Sequence, residues 1–502
     1  MKKLLALSTA AIMAVTGAMA DEAADIKKLK KDVKRLKNSL SEVRAQAAAD
    51  NIKWNVDFRT SYDHITAKRA SGEKDSNGGL LANRLWLGMG YKLNDNMVFK
   101  GQLSYNKAYG AAPANPANNG FPQRGYGYDT FDWVVNENLT TDTIRVKEAY
   151  WLYMTDSLFG SDVSMTGSFG RRPSLNGFLA SLRDDDHASS PLGHIVNVEF
   201  DGASFKFGMD KVIGVPGAYL KFCMGRGLTN ARARFNMDGG LTMHADYTED
   251  HATLDTIDLA GAILSLYNDG QYQLEALGFR GFNLPGFQLM NGDNTGMVTM
   301  TSFMAGEMNP DATMYNLGHL DGFAISGVMN GIGDGWSDFL DDTILFASYA
   351  VSRTNPDNKL IGTRSDFSTG PTGMLGSNDK ETGHSYWLGL QIPAMITEDG
   401  RIGIEYNHGS KYWRSFTYGE DTMAGSKLAA RGDAFEAYWT QPLMGKAFSA
   451  QLRYTNIQYD YTGSQFFFGD DGMPMTMAEA QGFGMDPVSE AQDIRFYLRY
   501  RY

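Results

Sequence analysis

The chain has 502 residues, a formal net charge of −12 and a single cysteine, Cys223. This length exceeds that of one ordinary soluble domain, the acidic charge does not favour a nucleic-acid partner, and one cysteine excludes both an intrachain disulfide and a cysteine-based metal site. With 56 glycines, 14 prolines, 25 tyrosines, 28 phenylalanines and 8 tryptophans, the composition is typical of a β-rich protein.

Residues 1–20 predict a secretory signal peptide. Lys2 and Lys3 precede a short apolar stretch, and Ala18-Met19-Ala20 has the small–x–small pattern of a cleavage site. A membrane anchor is the weaker interpretation, because the apolar stretch is short. Beyond residue 20, no run reaches the roughly 18 apolar residues that a spanning helix needs. We therefore expect an exported protein without a spanning helix.

Residues 21–50 predict a basic coiled-coil helix in the periplasm. Apolar residues recur at alternating spacings of three and four, and the segment contains neither proline nor glycine. A lone helix of about 30 residues is marginal in water, so we expect it to associate, as a homotrimer first, or with a protein partner or the cell wall. A solvated spacer helix is the alternative. The residues expected to form the oligomerisation seam are Ile26, Leu29, Val33, Leu36, Leu40 and Val43.

From Trp54 onward the hydrophobic period changes to two. In the stretch NRLWLGMGYKLNDNMVFKGQLSYNK (83–107), apolar residues alternate with small or polar ones on both sides of a tight turn, which predicts a β-hairpin. Segments of about ten alternating residues are what a tilted membrane-crossing strand requires. The predicted strands are 54–66, 81–93, 96–106, 142–154, 161–171, 194–208, 217–226, 255–267, 271–281, 320–330, 342–353, 384–392, 400–409, 431–441, 446–462 and 490–502.

The connections between these strands alternate between short and long. The short ones are 94–95, 155–160, 209–216, 268–270, 331–341, 393–399 and 442–445, and the long ones are 67–80, 107–141, 172–193, 227–254, 282–319, 354–383, 410–430 and 463–489. Short periplasmic turns and long external loops are typical of transmembrane barrels. A soluble sandwich or propeller would not need a long loop at every second connection. We therefore predict that residues 51–502 form an all-β, antiparallel barrel of about 16 strands with a water-filled lumen and both chain ends in the periplasm.

Four stretches of the body resemble the DUF3373 family: GRRPS (170–174), KLAARGDAFEAYWTQPL (427–443), LRYTNIQYDYTGSQFFFGDDGMP (452–474) and the terminal DIRFYLRYRY (493–502). Members of that family are regarded as exported outer-membrane β-barrel proteins of epsilonproteobacteria and their relatives. The resemblance covers most of the chain. It implies a barrel and an outer-membrane location, and it supplies neither a reaction nor a substrate.

The polar phase of the strands gives candidates for the lumen wall, because rings of charge on a pore wall set which ions pass. The alternative is that any wet lumen carries charges. One conflict is local: Glu148 falls in the outward phase with Val146 and Tyr150, so either a bulge shifts the phase or the predicted register is wrong there. The predicted pore-lining residues are Arg84, Lys100, Arg145, Glu405, Glu436, Arg453, Arg495 and Arg499.

The long connection between the fifth and sixth strands predicts a constriction. In general porins of sixteen strands the loop at this position folds into the lumen. Here it would set arginines against aspartates and so create a transverse field and a size filter; a solvated external loop is the alternative. The predicted constriction residues are Arg171, Arg172, Arg183, Asp184, Asp185 and Asp186.

Metal and catalytic motifs are weak. Two acidic clusters could hold a hard cation such as Ca²⁺ but match no strict ligand loop: His244, Asp246, Glu249, Asp250 and His251, and Asp334, Asp338, Asp341 and Asp342. There is no haem-attachment motif, nucleophile elbow or phosphate loop. We expect no metal, no cofactor and no enzymatic activity, although a triad of scattered residues that includes His187, His244 or His251 stays open.

Aromatic residues near the strand ends predict interface girdles: Tyr91, Tyr105, Tyr150, Trp387, Tyr406, Trp439 and Tyr454. The last strand carries Phe496, Leu498, Tyr500 and Tyr502 on one face. This pattern resembles the signal by which the barrel-assembly machinery recognises its clients, which most often ends in Phe.

The sequence as a whole predicts a porin-like channel in the lipid of the outer membrane, through which small hydrophilic solutes or ions diffuse passively. The alternative is a structural protein in which the barrel is an anchor and the N-terminal helix binds the cell wall or a periplasmic partner.

Overall fold

The computed structural model describes residues 52–111, 139, 143–172, 174–232, 237–238, 242–243, 245–249, 255–287, 314–333, 335–357, 372–373, 375–377, 379–464 and 474–502. The signal peptide (1–20) and the coiled-coil seam (Ile26 to Val43) lie outside this part of the chain, so both stay predictions.

Sixteen long strands form one antiparallel sheet in the described part of the chain. They are β1 (Lys53–Arg69), β2 (Lys74–Lys92), β3 (Met97–Ala108), β4 (Arg145–Thr155), β5 (Ser164–Arg172), β6 (Phe200–Gly208), β7 (Tyr219–Leu228), β8 (Ile257–Asn268), β9 (Tyr272–Phe287), β10 (Met314–Asn330), β11 (Ile344–Pro356), β12 (Thr382–Pro393), β13 (Arg401–Gly409), β14 (Gly432–Met444), β15 (Phe448–Tyr459) and β16 (Val488–Arg501). Each pairs with the next, and β16 pairs with β1, so the sheet closes into a barrel. The predicted closed, antiparallel barrel is therefore confirmed, and each predicted strand corresponds to one observed strand.

Smaller elements accompany the sixteen long strands. Gly177–Phe178 and Ser189–Leu192 form a short parallel pair, and Thr372–Gly373 extends the end of β9. Short helices cover Asp210–Ile213, Asp338–Asp341 and Met477–Gly482. Within the described ranges, no helix combines the length and the apolar character needed to cross a membrane.

Two predicted boundaries are wrong. The predicted long loop 67–80 is mostly strand, because β1 extends to Arg69 and β2 begins at Lys74. At the other site, residues 194–199 are not a strand, and β6 begins only at Phe200. This stretch looks like a strand because it is rich in apolar residues, but those side chains are buried inside the barrel.

The outer face of the barrel is apolar. On β16, Ile494, Phe496, Leu498 and Tyr500 point outward and are 38–45% exposed. Similar exposed aliphatic and aromatic side chains occur all around the wall, among them Phe99, Trp151, Phe222, Phe323, Tyr386 and Phe435. A belt of this kind matches the lipid-facing surface of a transmembrane barrel.

The inner face is not uniformly polar, contrary to the prediction. Ile263, Leu277, Val328 and Phe346 point inward from β8 to β11 and belong to one buried apolar cluster. Many of the other members come from the two long loops that enter the barrel, including Leu192, Ile195, Trp413, Phe416 and Leu428. Alternation alone could not reveal this, because it assumes that water fills the lumen.

A β-bulge explains the phase conflict on β4. Gln102 of β3 faces Glu148, whereas the next residue, Leu103, faces Val146, so Lys147 is the extra residue. As a result Glu148 and Tyr150 both line the inside, and Val146 is exposed outside. The bulge interpretation is confirmed, and the placement of Tyr150 in an outer aromatic girdle is wrong.

Candidate functional site in the barrel lumen

Two loops occupy the lumen. We name them loop L3 (174–199), between β5 and β6, and loop L7 (410–431), between β13 and β14. Their backbones are joined: Asn197 N–H donates to Phe416 O (2.6 Å), and Phe416 N–H donates to Ile195 O (2.9 Å). The loops therefore form one inserted unit.

Loop L3 reaches the far wall through Arg183. The Nη1 atom of Arg183 lies 3.1 Å from Glu420 Oε1 of loop L7 and 3.2 Å from Glu436 Oε1 of β14. Next to it, Asp184 accepts a hydrogen bond of 2.8 Å from the Tyr497 hydroxyl of β16. Burial alone would raise the pKa of Asp184, but Arg183 and Arg453 outweigh it and hold that pKa below its usual range. The tip of the loop is thus fixed by charge.

Lys427 of loop L7 is the centre of a buried acidic cluster. Its Nζ lies 2.6 Å from Glu405 Oε2 and forms a shorter contact with Glu436. Trp387 Nε1–H donates to the same Glu405 oxygen at 3.0 Å. Trp387 is 1% exposed, so its predicted place in an outer girdle is wrong. The aromatic residue fits inside because the loops fill the space that water was expected to occupy.

Asp421 of loop L7 gathers three arginines from the wall. It is bonded to Arg59 of β1, and its carboxylate lies 3.2 Å from Arg84 Nη1 and 3.0 Å from Arg495 Nη1. Burial alone would raise the pKa of Asp421, but Arg59 and Arg495 outweigh that effect and hold the pKa well below its usual range. The carboxylate stays ionised and, together with Asp57 and Asp63, offsets the charges of three arginines that would otherwise repel one another.

The arginines of the last strand form ion pairs across the closure of the barrel. Arg495 pairs with Asp63 of β1, and Arg499 Nε lies 2.9 Å from Asp57 Oδ1 of the same strand. Arg499 also contacts Asp186 of loop L3 at 2.8 Å. The inner face of β16 is thus bound both to its neighbour and to the inserted loop.

The predicted pore-lining residues lie on the inner side, but most are buried in ion pairs. Lys100 lines an open cavity, and Arg145 is half-buried at the start of β4. The other six are at most 5% exposed: Arg84, Glu405, Glu436, Arg453, Arg495 and Arg499. Their role in lining a conducting path stays a prediction.

The predicted constriction residues divide into two groups. Arg171 is held on the wall by Glu199 (2.8 Å), and Arg172 lines the open space beside it. The other four lie across the lumen: Arg183, Asp184 and Asp186 in the contacts above, and Asp185, whose carbonyl accepts from Arg501 at 2.8 Å. Whether they filter solutes stays a prediction.

A cavity of about 630 Å³ remains on the side of β1 to β7. It lies towards the short turns, because its lining includes Gly90 near the end of β2, Lys206 near the end of β6 and Lys221 near the start of β7. Among the residues that the structure describes, five cations and one carboxylate line it: Lys53, Lys100, Arg172, Lys206, Lys221 and Glu148. This chamber is therefore a cationic vestibule; we keep this name for it.

His194 joins loop L3 to the opposite wall without a charge. Its Nδ1 lies 2.7 Å from Ser348 Oγ of β11, and its Nε2 lies 2.9 Å from Ser385 Oγ of β12. The ring lies close to Trp387 and Trp413. Burial lowers the pKa of His194 to about 3, so the ring is neutral at pH 7.

The predicted cation clusters lie only partly within the described residues: His244, Asp250, His251 and Asp334 lie outside them. Asp341 accepts a backbone hydrogen bond from Gly335 (2.9 Å). Among the residues that the structure describes, no three potential metal ligands come together.

The sequence reasoning missed the insertion of loop L7. A signal was present: Trp413, Phe416 and Leu428 make this loop more apolar than a solvated loop should be, and Glu420 and Lys427 stand among them. Such a mixture of apolar and paired charged residues is typical of a segment with its own packing partners.

The fold and its interior define a class: closed sixteen-strand β-barrels with an apolar outer face and inserted loops. This chain belongs to the DUF3373 family, described as a protein of unknown function, whose sequence model matches residues 74–502. The resemblance read from the sequence is thereby confirmed. No curated protein matches the sequence.

Several solved structures are similar to this chain at a low level. OprB of Pseudomonas putida, in a high-pH structure, is 12% identical, with 91% of this chain and 96% of that chain covered and a TM-score of 0.45. Salmonella typhi OmpF in complex with daunomycin is 10% identical, with 90% and 99% covered and a TM-score of 0.43. An anion-selective porin from Comamonas acidovorans is 9% identical, with 90% and 99% covered and a TM-score of 0.46. Likeness at this level carries no conclusion about what this chain binds or transports.

Proposed function

We propose that this protein is a porin-like channel of the outer membrane, through which small hydrophilic solutes or ions diffuse passively. The observation that carries the proposal is the cationic vestibule, an open chamber of about 630 Å³ inside a closed barrel. In this proposal the short turns face the periplasm, the outer face contacts lipid, and the barrel-assembly machinery inserts the chain. No catalytic reaction is assigned.

The proposed path is narrow and follows β1 to β7. The apolar cluster that loops L3 and L7 form with β8 to β11 occupies the opposite side. Beyond the vestibule, a space of about 50 Å³ lies between the two loops and the Arg84–Trp86 region of β2. A still smaller space of about 10 Å³ adjoins it, since Arg84 and Asp421 line both, and we expect these two spaces to limit the conductance. The excess of cations in the vestibule favours anions.

Planar-bilayer recording of the purified protein tests the proposal. We expect small, discrete current steps and a reversal potential, under a salt gradient, that indicates anion preference. Lys100→Glu should shift that preference towards cations, because it changes the charge of the vestibule wall by two. Lys446→Glu is a matched control, since Lys446 lies in the short turn after β14, outside the lumen. A barrel that is folded yet never conducts would contradict the channel.

The structural alternative keeps one specific observation in its favour: a buried apolar cluster fills part of the lumen, as in an anchor that does not need to conduct. In this second proposal, residues 21–50 bind the cell wall or a periplasmic partner, or trimerise. Deleting 21–50 separates the two functions. If flux persists while envelope attachment fails, the chain has a tethering role as well as a channel.

A further inference from the structure

An apolar pocket of about 80 Å³ adjoins the cationic vestibule. Pro191 and Val196 of loop L3 and Phe200, Ile263 and Phe279 of the wall supply apolar surface to it. Roughly 10–15 Å³ is enough for one water molecule, so the pocket has room for a group of several heavy atoms. Apolar cavities of this kind gain free energy when an apolar group fills them.

Neighbouring strands carry glycine at inward positions of the pocket wall. Gly202 of β6 pairs directly with Gly225 of β7. One step away, Gly261 of β8 pairs with Cys223 of β7. Because these glycines have no side chains and Cys223 has a small one, the backbone of the wall lines the pocket at the place where loop L3 passes over it.

Two cations stand where the pocket meets the vestibule. Arg172 of β5 and Lys221 of β7 line both spaces. Arg172 Nε has no hydrogen-bond partner among the described residues. No carboxylate side chain lines the apolar pocket itself among those residues. The arrangement is therefore an apolar hollow with positive charge at its mouth.

We propose that this pocket binds small organic anions that carry an apolar body, such as an aromatic or branched carboxylate. The body fills the hollow beside Cys223 and Phe279, and the carboxylate meets Arg172 and Lys221 at the mouth. Arginine and lysine bind carboxylates through charge-assisted hydrogen bonds. A neutral sugar would leave the apolar wall unused, and a metal cation would be repelled by the two charges. The site is independent of whether the barrel conducts.

The single cysteine of the chain makes the site directly testable, because Cys223 lines the pocket. An anionic methanethiosulfonate reagent reacts with the Cys223 thiolate, which forms a mixed disulfide and expels methanesulfinate. Mass spectrometry of the full-length protein in detergent then gives the rate of modification. Benzoate should slow it saturably, whereas benzamide, which has the same ring without the charge, and acetate, which has the charge without the ring, should protect much less.

Substitutions of the two cations at the opening of the pocket test the role of their charge. Arg172→Met and Lys221→Met should each weaken protection by benzoate about tenfold, the loss expected for one charge-assisted hydrogen bond. Lys206→Met is the matched control, since Lys206 lines the vestibule but not the pocket, and it should stay near the wild-type value. Cys223→Phe should abolish benzoate binding measured by calorimetry, because the ring fills the hollow.

Equal protection by benzoate and benzamide, or an equal effect of Lys206→Met and Lys221→Met, would overturn the proposal. If Cys223 does not react at all, calorimetry with benzoate on the unmodified protein tests the site instead. The absence of saturable benzoate binding in that experiment would also overturn the proposal. Bilayer conductance of the same variants is read separately, so failure of the pocket leaves the channel proposal unaffected.

Discussion

Asp421 is a single side chain with consequences for three strands. It compensates the charges of Arg59, Arg84 and Arg495 in a region where water is largely excluded. Removing one partner of a buried ion pair costs more than the pair itself contributes, because the remaining charges stay buried. A substitution of Asp421 should therefore lower the stability of the packing between loop L7 and the three strands that carry these arginines.

Asp421→Asn keeps the shape of the side chain and removes its charge. We expect a loss of about 2–3 kcal/mol in the free energy of unfolding, less than for a fully buried pair because the Asp421 side chain is 26% exposed. Urea unfolding followed by tryptophan fluorescence measures it. Asp162→Asn, at an exposed position in the turn after β4, should have no effect. Equal stability of the two variants would mean that the charge of Asp421 is not needed to stabilise the three buried arginines.

His194 gives the docking of loop L3 a pH dependence. Its pKa is about 3 in the folded protein, below the ordinary value near 6.5 of an unfolded chain. The folded state thus binds fewer protons between these values, and its stability is full above pH 6.5 and is lost as the pH falls towards 3.

Below pH 6.5 we expect the His194 contribution to decline by at most about 1.4 kcal/mol per pH unit. His194→Gln cannot titrate, so its stability should fall less between pH 6.5 and 4 than that of the wild type. Unfolding curves of both proteins across this range give the difference between their free energies of unfolding. The titration of the carboxylates contributes equally to both proteins and therefore does not affect this difference. Parallel pH profiles would show that His194 is accessible to protons.

Loop L3 is held along its length by the apolar cluster and by His194, whereas its tip is held by charged and polar contacts. Between β5 and the far wall it crosses the lumen, and the contacts of Arg183, Asp184 and Asp186 fix its end against β14 and β16. Segments that rest on few contacts open locally at lower free energy than the wall strands. Removing one tip contact should therefore release the tip of loop L3 before the barrel unfolds.

Tyr497→Phe removes only the hydrogen bond to Asp184. Since that acceptor then stays buried without this donor, we expect docking to weaken by about 1–2 kcal/mol and tryptic cleavage after Arg183 to accelerate about tenfold. Tyr500→Phe is the control on the same strand, because Tyr500 points outward and is 43% exposed. If both variants are cleaved at the wild-type rate, the hydroxyl does not hold the loop.

For the whole molecule, the sequence predicted the strands of the barrel wall far better than the loops that fill the lumen. Period-two patterns and alternating loop lengths are local signals, and they located all sixteen strands. The error at Tyr150 comes from the β-bulge on β4, and the error at Trp387 comes from how full the lumen is. That depends on where loops L3 and L7 go, and such contacts join residues far apart in the chain, as Asp421 and Arg59 show. The cationic vestibule was missed for the same reason.

Assembly of the barrel depends on its last residue in our interpretation. Tyr502 is 83% exposed, and its backbone exchanges two hydrogen bonds with Val56 of β1. We expect deletion of Tyr502 to lower the amount of folded, heat-modifiable protein in the envelope several-fold, while the molecules that do fold conduct normally.

Two substitutions separate the possible causes of that effect. Tyr502→Ala keeps both backbone hydrogen bonds and removes the ring, so a loss equal to that of the deletion assigns the effect to the aromatic signal. Tyr502→Phe should assemble at the wild-type level. Normal assembly of the deletion variant would show that the barrel-assembly machinery does not recognise Tyr502.

The pairing of β16 with β1 has a kinetic consequence. This junction joins the first strand of the barrel to the last. Here Asp421 contacts arginines on both sides of it, and Arg495 and Arg499 pair with Asp63 and Asp57 across it. Opening the junction must break these ion pairs together with the strand ladder and draw loop L7 away. The native barrel should therefore owe its long lifetime to a high barrier to opening as much as to its equilibrium stability.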